Sequence, residues 1–347
     1  MLCTKLSELE TVPKNQEKPL LNLYSSIVVL VQHNSDNSPT NKQLMLYAMK
    51  LLAAHLCQKD KEIFLKSVPI VAQVYCLKET NNLVAVNAIL CVAELSSHLK
   101  AAMLPYLPIF FKPILEKIKK EGDYQNSDLT LIGCTTAIQK IIASMPEFMS
   151  PFVPKILETI SISGYLAEKL SCNQLMEKVN NLKENCGHLI PPRVLYPAVE
   201  TWFHENLVSN KVNFTDSLYF LIINKSYLVS SIIDVLKHSF AVISKADANT
   251  NFQGTILKIL KMLFDVHSFE TDDIEIIIEK KSIAAYCELV LKLSENTLRP
   301  MYLEKNDLIE AVLDVLSNVF KYDNQGFVNK ERFESIMQPL VDQSSSL

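Results

Sequence analysis

The first glycine of this 347-residue chain is Gly122, and only six glycines occur in all. Tight hairpin turns and phosphate-cradling loops both call on glycine, because the backbone there takes a positive φ or passes close to a ligand. An all-β fold and a nucleotide-binding enzyme are therefore disfavoured at the outset. The same glycine-poor stretch carries helical periodicity. Leu44, Tyr47, Ala48, Leu51, Leu52 and His55 fall at i, i+3, i+4, i+7, i+8 and i+11, as do Leu107, Phe110, Phe111, Ile114, Leu115 and Ile118 in their own frame. Asn81-Asn82, the segment 121–127, Ser144-Met145-Pro146-Glu147 and Pro191-Pro192 end one helix and begin the next.

Prolines recur along this pattern. Leu104-Pro105-Tyr106-Leu107-Pro108 superimposes on Ser150-Pro151-Phe152-Val153-Pro154 at a spacing of 46, and Pro69 and Pro197 extend the series with steps of 39 and 43. A step of roughly 40–47 residues built from helical pairs is the signature of a HEAT or armadillo array, in which each pair buries its face against its neighbours. The fold class read from the sequence is all-α, an α-α superhelix. Its expected organisation is a poorly ordered segment with a first helix over 1–40, HEAT-like repeats over 41–190, and a helical C-terminal domain over 191–347. Polar residues over 1–20 and 33–42 read as a frayed start and a loop. The expected core includes Leu51, Leu52, Ile89, Leu107, Phe111, Ile114, Ile138, Ile156, Leu195 and Leu260.

Charge and cysteine usage narrow the function classes. With 34 Lys plus Arg against 38 Asp plus Glu, the net charge of −4 does not suit a polybasic membrane binder or a general nucleic-acid coat, and 48% apolar residues do not suit disorder. The eight cysteines lack a CxxC pair and read as reduced core residues. No signal-peptide pattern opens the chain, and the best candidate for a membrane span, 218–236, is broken by Asn224-Lys225-Ser226 and Asp234.

Chemical motifs fail one by one. The stretch 321–332 resembles a calcium loop with Gly326 at position 6, but Lys321 and Arg332 stand where oxygen ligands belong, so it reads as a helix-to-helix turn. Cys172, Cys186 and His188 are three donors where a structural zinc site wants four. No HExxH, GxSxG, Walker loop or GxGxxG is present. Lys112, Lys117, Lys119 and Lys120 could meet phosphate, but Glu121 and Asp123 follow them and a solvated helix face is the simpler reading. Trp202, beside Tyr196 and Phe203, reads as core. No catalytic residue, cofactor, metal or small-molecule substrate is expected.

Two runs near the C-terminus go beyond the generic demands of a helical pair. Residues 290–302 read VLKLSENTLRPMY and residues 318–343 read NVFKYDNQGFVNKERFESIMQPLVDQ. Both resemble the C-terminal region of the very large HEAT-repeat protein family of the small-subunit processome, nucleolar proteins associated with the U-three snoRNA. The matching positions are Lys292, Leu293, Ser294, Glu295, Thr297, Arg299, Pro300, Phe327, Glu331, Arg332, Glu334, Pro339, Leu340, Val341, Asp342 and Gln343. A weaker resemblance runs upstream through LCVAELSSHLKAAMLPYLPIFFKPIL, MPEFMSPFVPKIL and LIPPRVLYPAVETWF.

The resemblance implies a non-enzymatic scaffold in pre-rRNA processing and small ribosomal subunit biogenesis, linked to RNA polymerase I transcription and located in the nucleus and nucleolus. Its implied partners are other processome subunits and the pre-ribosomal RNP with U-three snoRNA, without a membrane. Two alternatives stay open, a HEAT-type nuclear transport carrier that binds the GTPase Ran, and a regulatory scaffold subunit. Compared with the family pattern, a block is missing near 302/303 and the chain stops early, so the C-terminal domain reads as truncated. That truncation should leave Val312, Val315, Leu316, Val319, Ile336 and Leu340 exposed and promote self-association.

Overall fold

The computed structural model describes residues 12–33, 38–72, 81–121, 128–203, 231–239 and 306–322, with single positions at 257, 290 and between 329 and 341. Its helices are α1 (Lys14–His33), α2 (Pro39–Leu56), α3 (Lys61–Ile70), α4 (Asn82–Leu99), α5 (Leu107–Glu121), α6 (Asp128–Ser144), α7 (Val153–Lys169), α8 (Asn173–Leu189), α9 (Pro192–Phe203) and α10 (Asn306–Tyr322). Residues 231–239 are also helical, and no strand occurs among the described residues. The chain divides into two compact units, Met1–Asn185 and Cys186–Leu347.

Local chemistry sets the helix starts. Ser38 Oγ accepts from the Asn41 amide at 3.3 Å with Pro39 opening α2, and Asp60 Oδ1 accepts from the Ile63 amide at 3.3 Å ahead of α3. Asn81 Oδ1 accepts from the amides of Leu83 and Val84 at 3.1 and 3.2 Å, which opens α4. Helix α4 ends as Lys100 turns to a φ of 47°. The polar segments at either side of α1 are more helical than their composition suggests. Helix α1 begins at Lys14 with Pro19 exposed on it, and α2 begins at Pro39.

In the first unit the helices alternate between two layers. Helices α2, α4 and α6 pack side by side, α1 packs on α3, α5 packs on α7, and α1–α2, α3–α4 and α5–α6 join the layers. Helix α4 is apolar around most of its circumference because it is sandwiched, with Val84, Ala85, Ala88, Ile89, Cys91, Val92, Ala93, Leu95 and Ser96 all buried. Among the described residues, one helical stretch, Asn82–Ile118, is long and apolar enough to pass for a span, with a mean hydropathy of 1.4 over an 18-residue window of which 61% is buried inside the protein. Most of 218–236 lies outside the described residues.

Aromatic contacts join α1 to α3 and α5 to the turn that leads into α7. Tyr24 lies 4.1 Å from Phe64 between ring centroids, and Phe111 meets Phe152 edge-to-face at 5.0 Å. Ser67 donates to the Phe64 carbonyl at 2.7 Å, so the Tyr24 hydroxyl is the donor in its 2.6 Å bond with Ser67. Burial, first, raises the Tyr24 phenol well above its ordinary pKa. In the second unit Tyr196 and Ser239 repeat this buried pair at 2.8 Å and the same separation of 43 residues.

The proline series is only half equivalent in space. Pro105 and Pro151 lie in 3-10 turns, and Pro108 and Pro154 each fall on the second residue of the long helix that follows, where a missing amide costs nothing. Pro69 instead sits at the end of α3 and Pro197 inside α9. The repeat step of 46 therefore belongs to the central pairs.

Of the expected core, Leu52, Ile89, Leu107, Phe111, Ile114, Ile138, Ile156 and Leu195 are buried, Leu51 is half-buried, and Leu260 lies outside the described residues. The stripe on α2 is corrected. Leu46, Met49, Leu52, Ala53 and Leu56 face inward, while Leu44 and Tyr47 are exposed, because α2 is apolar on two faces and its neighbours decide which one is covered. The expected exposure on α10 is corrected too. Val312, Val315 and Leu316 are buried and Leu313 is exposed, since the amphipathic α10 turns its apolar stripe towards the rest of the protein. The side chain of Val319, and Ile336 and Leu340, lie outside the described residues.

Candidate interaction surface

The layer of α2, α4 and α6 carries the most distinctive surface chemistry. Towards the end where these helices finish, Glu94 on α4 accepts from the His98 ring at 3.1 Å and from Lys140 Nζ on α6 at 2.6 Å. Gln58 Nε2 donates to the His98 carbonyl at 2.9 Å, and Ser144 bonds Ser97 at 3.5 Å and its own helix at the Lys140 carbonyl. The Glu94 side chain is 15% exposed, so this is a partly desolvated anion with two donors. The His98 bond, and then Lys140, hold its carboxyl down at about 2 despite the upward push of burial.

A depressed carboxyl stabilises the fold fully above its ordinary pKa, and that stability fades as pH falls through the folded value. Acid titration of the wild-type chain should therefore show a loss of about 1–2 kcal/mol as pH falls from about 4.5 towards 2. Glu94→Gln should remove this step, as followed by urea midpoints at several pH values. A variant whose acid profile matches wild type would show that Glu94 is unperturbed.

The opposite end of the layer is apolar. Leu44, Leu83 and Leu129 are 54%, 47% and 63% exposed. Leu129 follows Leu83 by the same 46 residues that separate the bonded Glu94 and Lys140. Leu44 precedes Leu83 by 39, within one residue of the 40 that separate Gln58 and His98. The three leucines therefore form one row across three parallel helices, near the end where the helices begin. Tyr47 lies one turn on from Leu44, with Lys50 Nζ 5.1 Å from its ring.

The residues singled out from sequence fall elsewhere. Lys292, Leu293, Ser294, Glu295, Thr297, Arg299, Pro300, Phe327, Arg332, Pro339, Leu340, Asp342 and Gln343, with most of the 321–332 loop, lie outside the described residues. Glu331, Glu334 and Val341 are exposed, and Glu334 pairs with Lys330 at 3.7 Å. Cys186 is buried with its thiol pushed up to about 12, Cys172 is half-buried and His188 is exposed, its ring 5.2 Å from that of His238. No three metal-binding side chains converge among the described residues. Glu116 lies between Lys112 and Lys155 at 3.9 and 3.6 Å, and the side chains of Lys119, Lys120 and Trp202 lie outside the described residues.

Comparison with known proteins matches the whole chain. HEAT repeat-containing protein 1 of Danio rerio is 23% identical over 440 residues, which cover 100% of this chain and 20% of that protein. The Homo sapiens protein of the same name is 22% identical over 424 residues, covering 99% and 19%. The chain is a homologue of HEAT repeat-containing protein 1. U3 small nucleolar RNA-associated protein 10 of Schizosaccharomyces pombe is also homologous, at 23% identity over 322 residues, 90% of this chain and 17% of that one. The chain thus spans about a fifth of the length of these HEAT-repeat relatives. No family model matches it. Among solved structures an engineered protein aligns with 91% of this chain and 81% of its own at 11% identity, with a TM-score of 0.38.

Proposed function

We propose that the chain acts as a non-enzymatic scaffold in nucleolar pre-rRNA processing and small ribosomal subunit biogenesis. The observation that carries this reading is the end-to-end homology to proteins named for HEAT repeats and for association with the U3 small nucleolar RNA. The two-layer helical stack supports it, because such a stack offers long surfaces to partners. Its partners are other processome subunits and the U3-containing pre-ribosomal RNP, in the nucleus and nucleolus. Within the C-terminal domain, the KLSE and PLVDQ runs are the positions that serve this role. The alignment with the zebrafish relative covers 440 positions against 347 residues, so some positions of that relative have no counterpart in this chain.

Expression of the tagged chain followed by gradient sedimentation tests the reading. Recovery of U3 RNA and pre-rRNA in the fractions that hold the chain is expected. A chain confined to free fractions, or one captured by the GTPase Ran, would overturn it.

A further inference from the structure

Two buried hydroxyl pairs stand at one offset along the chain. Tyr24 precedes Tyr196 by 172 residues, Ser67 precedes Ser239 by the same 172, and 172 is four steps of 43. The neighbours of these pairs keep the offset. Ile27 falls on Val199, Phe64 on Leu236 and Pro19 on Pro191, and the apolar members are buried in both copies. Further along, buried Ala85 falls on buried Leu257, and buried Ile118 on buried Val290. The match lapses at α10, where buried Val312 falls on the half-exposed Lys140. An offset that carries both partners of a bond, together with the burial of their neighbours, marks a repeated block of four helical steps.

Each pair does what its apolar neighbours cannot. Ile27 and Val31 on α1, and Phe64 and Val68 on α3, are buried where these helices pack, and apolar packing secures stability before it secures one arrangement. A slip of α1 along α3 by one turn, about 5.4 Å, exchanges one apolar contact for another. The same slip breaks the 2.6 Å bond of Tyr24 to Ser67 and strands a buried hydroxyl. Helix α3 is weakly bonded at this point, since Pro69 has no amide to donate and the Val71 amide is shared between the Ser67 and Val68 carbonyls. Ser67 is held there from outside its own helix, accepting from Tyr24 while donating to the Phe64 carbonyl at 2.7 Å.

We propose that each Tyr–Ser pair is a register key that sets the axial position of the tyrosine helix on the serine helix, used at the same point of two tandem blocks. The first key sets α1 on α3, and the second sets α9 on the helix at 231–239. One buried polar contact in an apolar interface selects a single arrangement among several of similar stability, and adds little stability itself. The inference goes beyond the scaffold reading and stands without it.

The test uses the full chain with ring-labelled phenylalanine, followed by amide exchange, urea midpoints and the Phe64 ring signals. Ser67→Ala leaves the Tyr24 hydroxyl buried without its acceptor, and exchange in 14–33 and 61–70 should rise about tenfold while 192–203 is unchanged. Tyr24→Phe leaves Ser67 on the Phe64 carbonyl and should raise exchange only about two- to threefold. The double variant strands no hydroxyl, so its midpoint should return to that of Tyr24→Phe. Its Phe64 ring, 4.1 Å from the ring of residue 24 in the wild-type chain, should nevertheless give more than one set of signals, because the register is no longer fixed. Ser239→Ala, Tyr196→Phe and their double should follow the same order in 192–203 and 231–239. A single sharp set of Phe64 signals in the double variant, Tyr24→Phe as damaging as Ser67→Ala, or a reversed order at the second pair would each overturn the proposal. Should Ser67→Ala fail to fold, the double variant decides: folding with split ring signals sustains the key, and a double that also fails to fold overturns it.

Discussion

Phe111→Ala is expected to lower the stability of the first unit by about 3–5 kcal/mol. The ring is fully buried and meets Phe152 edge-to-face at 5.0 Å, with Phe110 and Ile114 buried beside it. Its loss removes both the transfer free energy and an aromatic pair, and a cavity remains because helices on either side fix the spacing of the layer. A stacked array is held together by such junctions, so the damage should concentrate at α5 and α7. Amide exchange should accelerate in 107–121 and 153–169 well beyond the change in 14–33, with a lower urea midpoint. A midpoint shift worth less than about 1 kcal/mol would mean that the junction collapses around the missing ring.

The all-α class and most of the central core were legible because α5 and α6 to α7 sit in long, clean periodic segments. Helix α5 buries every member of the stripe from Leu107 to Ile118. Helix α2 was misread because Leu44, Leu46, Tyr47 and Met49 offer two apolar faces, and periodicity alone does not say which face a neighbour will cover. The same ambiguity hid the row of exposed leucines. Its signal was nevertheless present, since the step of 46 that aligns Pro105 with Pro151 also aligns Leu83 with Leu129 and Glu94 with Lys140. Applying one offset to every residue type, and not to proline alone, brings out both ends of the surface.

The Tyr24–Ser67 and Tyr196–Ser239 pairs were equally readable as one separation used twice, but hydroxyl pairs carry no helical period and so stand outside a search for stripes. On α10, exposure was inferred from a missing block in the chain. The helix instead keeps Val312, Val315 and Leu316 covered, because an amphipathic helix finds cover from whatever lies nearest. The expectation of self-association therefore loses three of the six side chains it was built on, and Val319, Ile336 and Leu340 lie outside the described residues.

Gly187 separates Cys186 from His188, and its role is steric. It is buried near the end of α8, and a Cβ built there would stand 2.5 Å from the Val235 carbonyl oxygen, 2.5 Å from the His238 Cβ and 2.8 Å from the Ser239 amide nitrogen. Two of those atoms are backbone, so no side-chain rotation relieves the clash and the helix at 231–239 must move. Gly187→Ala should therefore cost about 3 kcal/mol, at the upper end of overpacking penalties, despite a gain of about 1 kcal/mol in helix propensity. Displacement should also break the Tyr196–Ser239 bond and separate the His188 and His238 rings, which the imidazole proton shifts would report. Gly133→Ala supplies the contrast. There the nearest atom is Val86 Cγ1 at 2.5 Å, a side chain, so adding Val86→Ala should recover most of the loss. Full stability of Gly187→Ala, with both histidine signals unmoved, would show that the close approach of the two helices is not required.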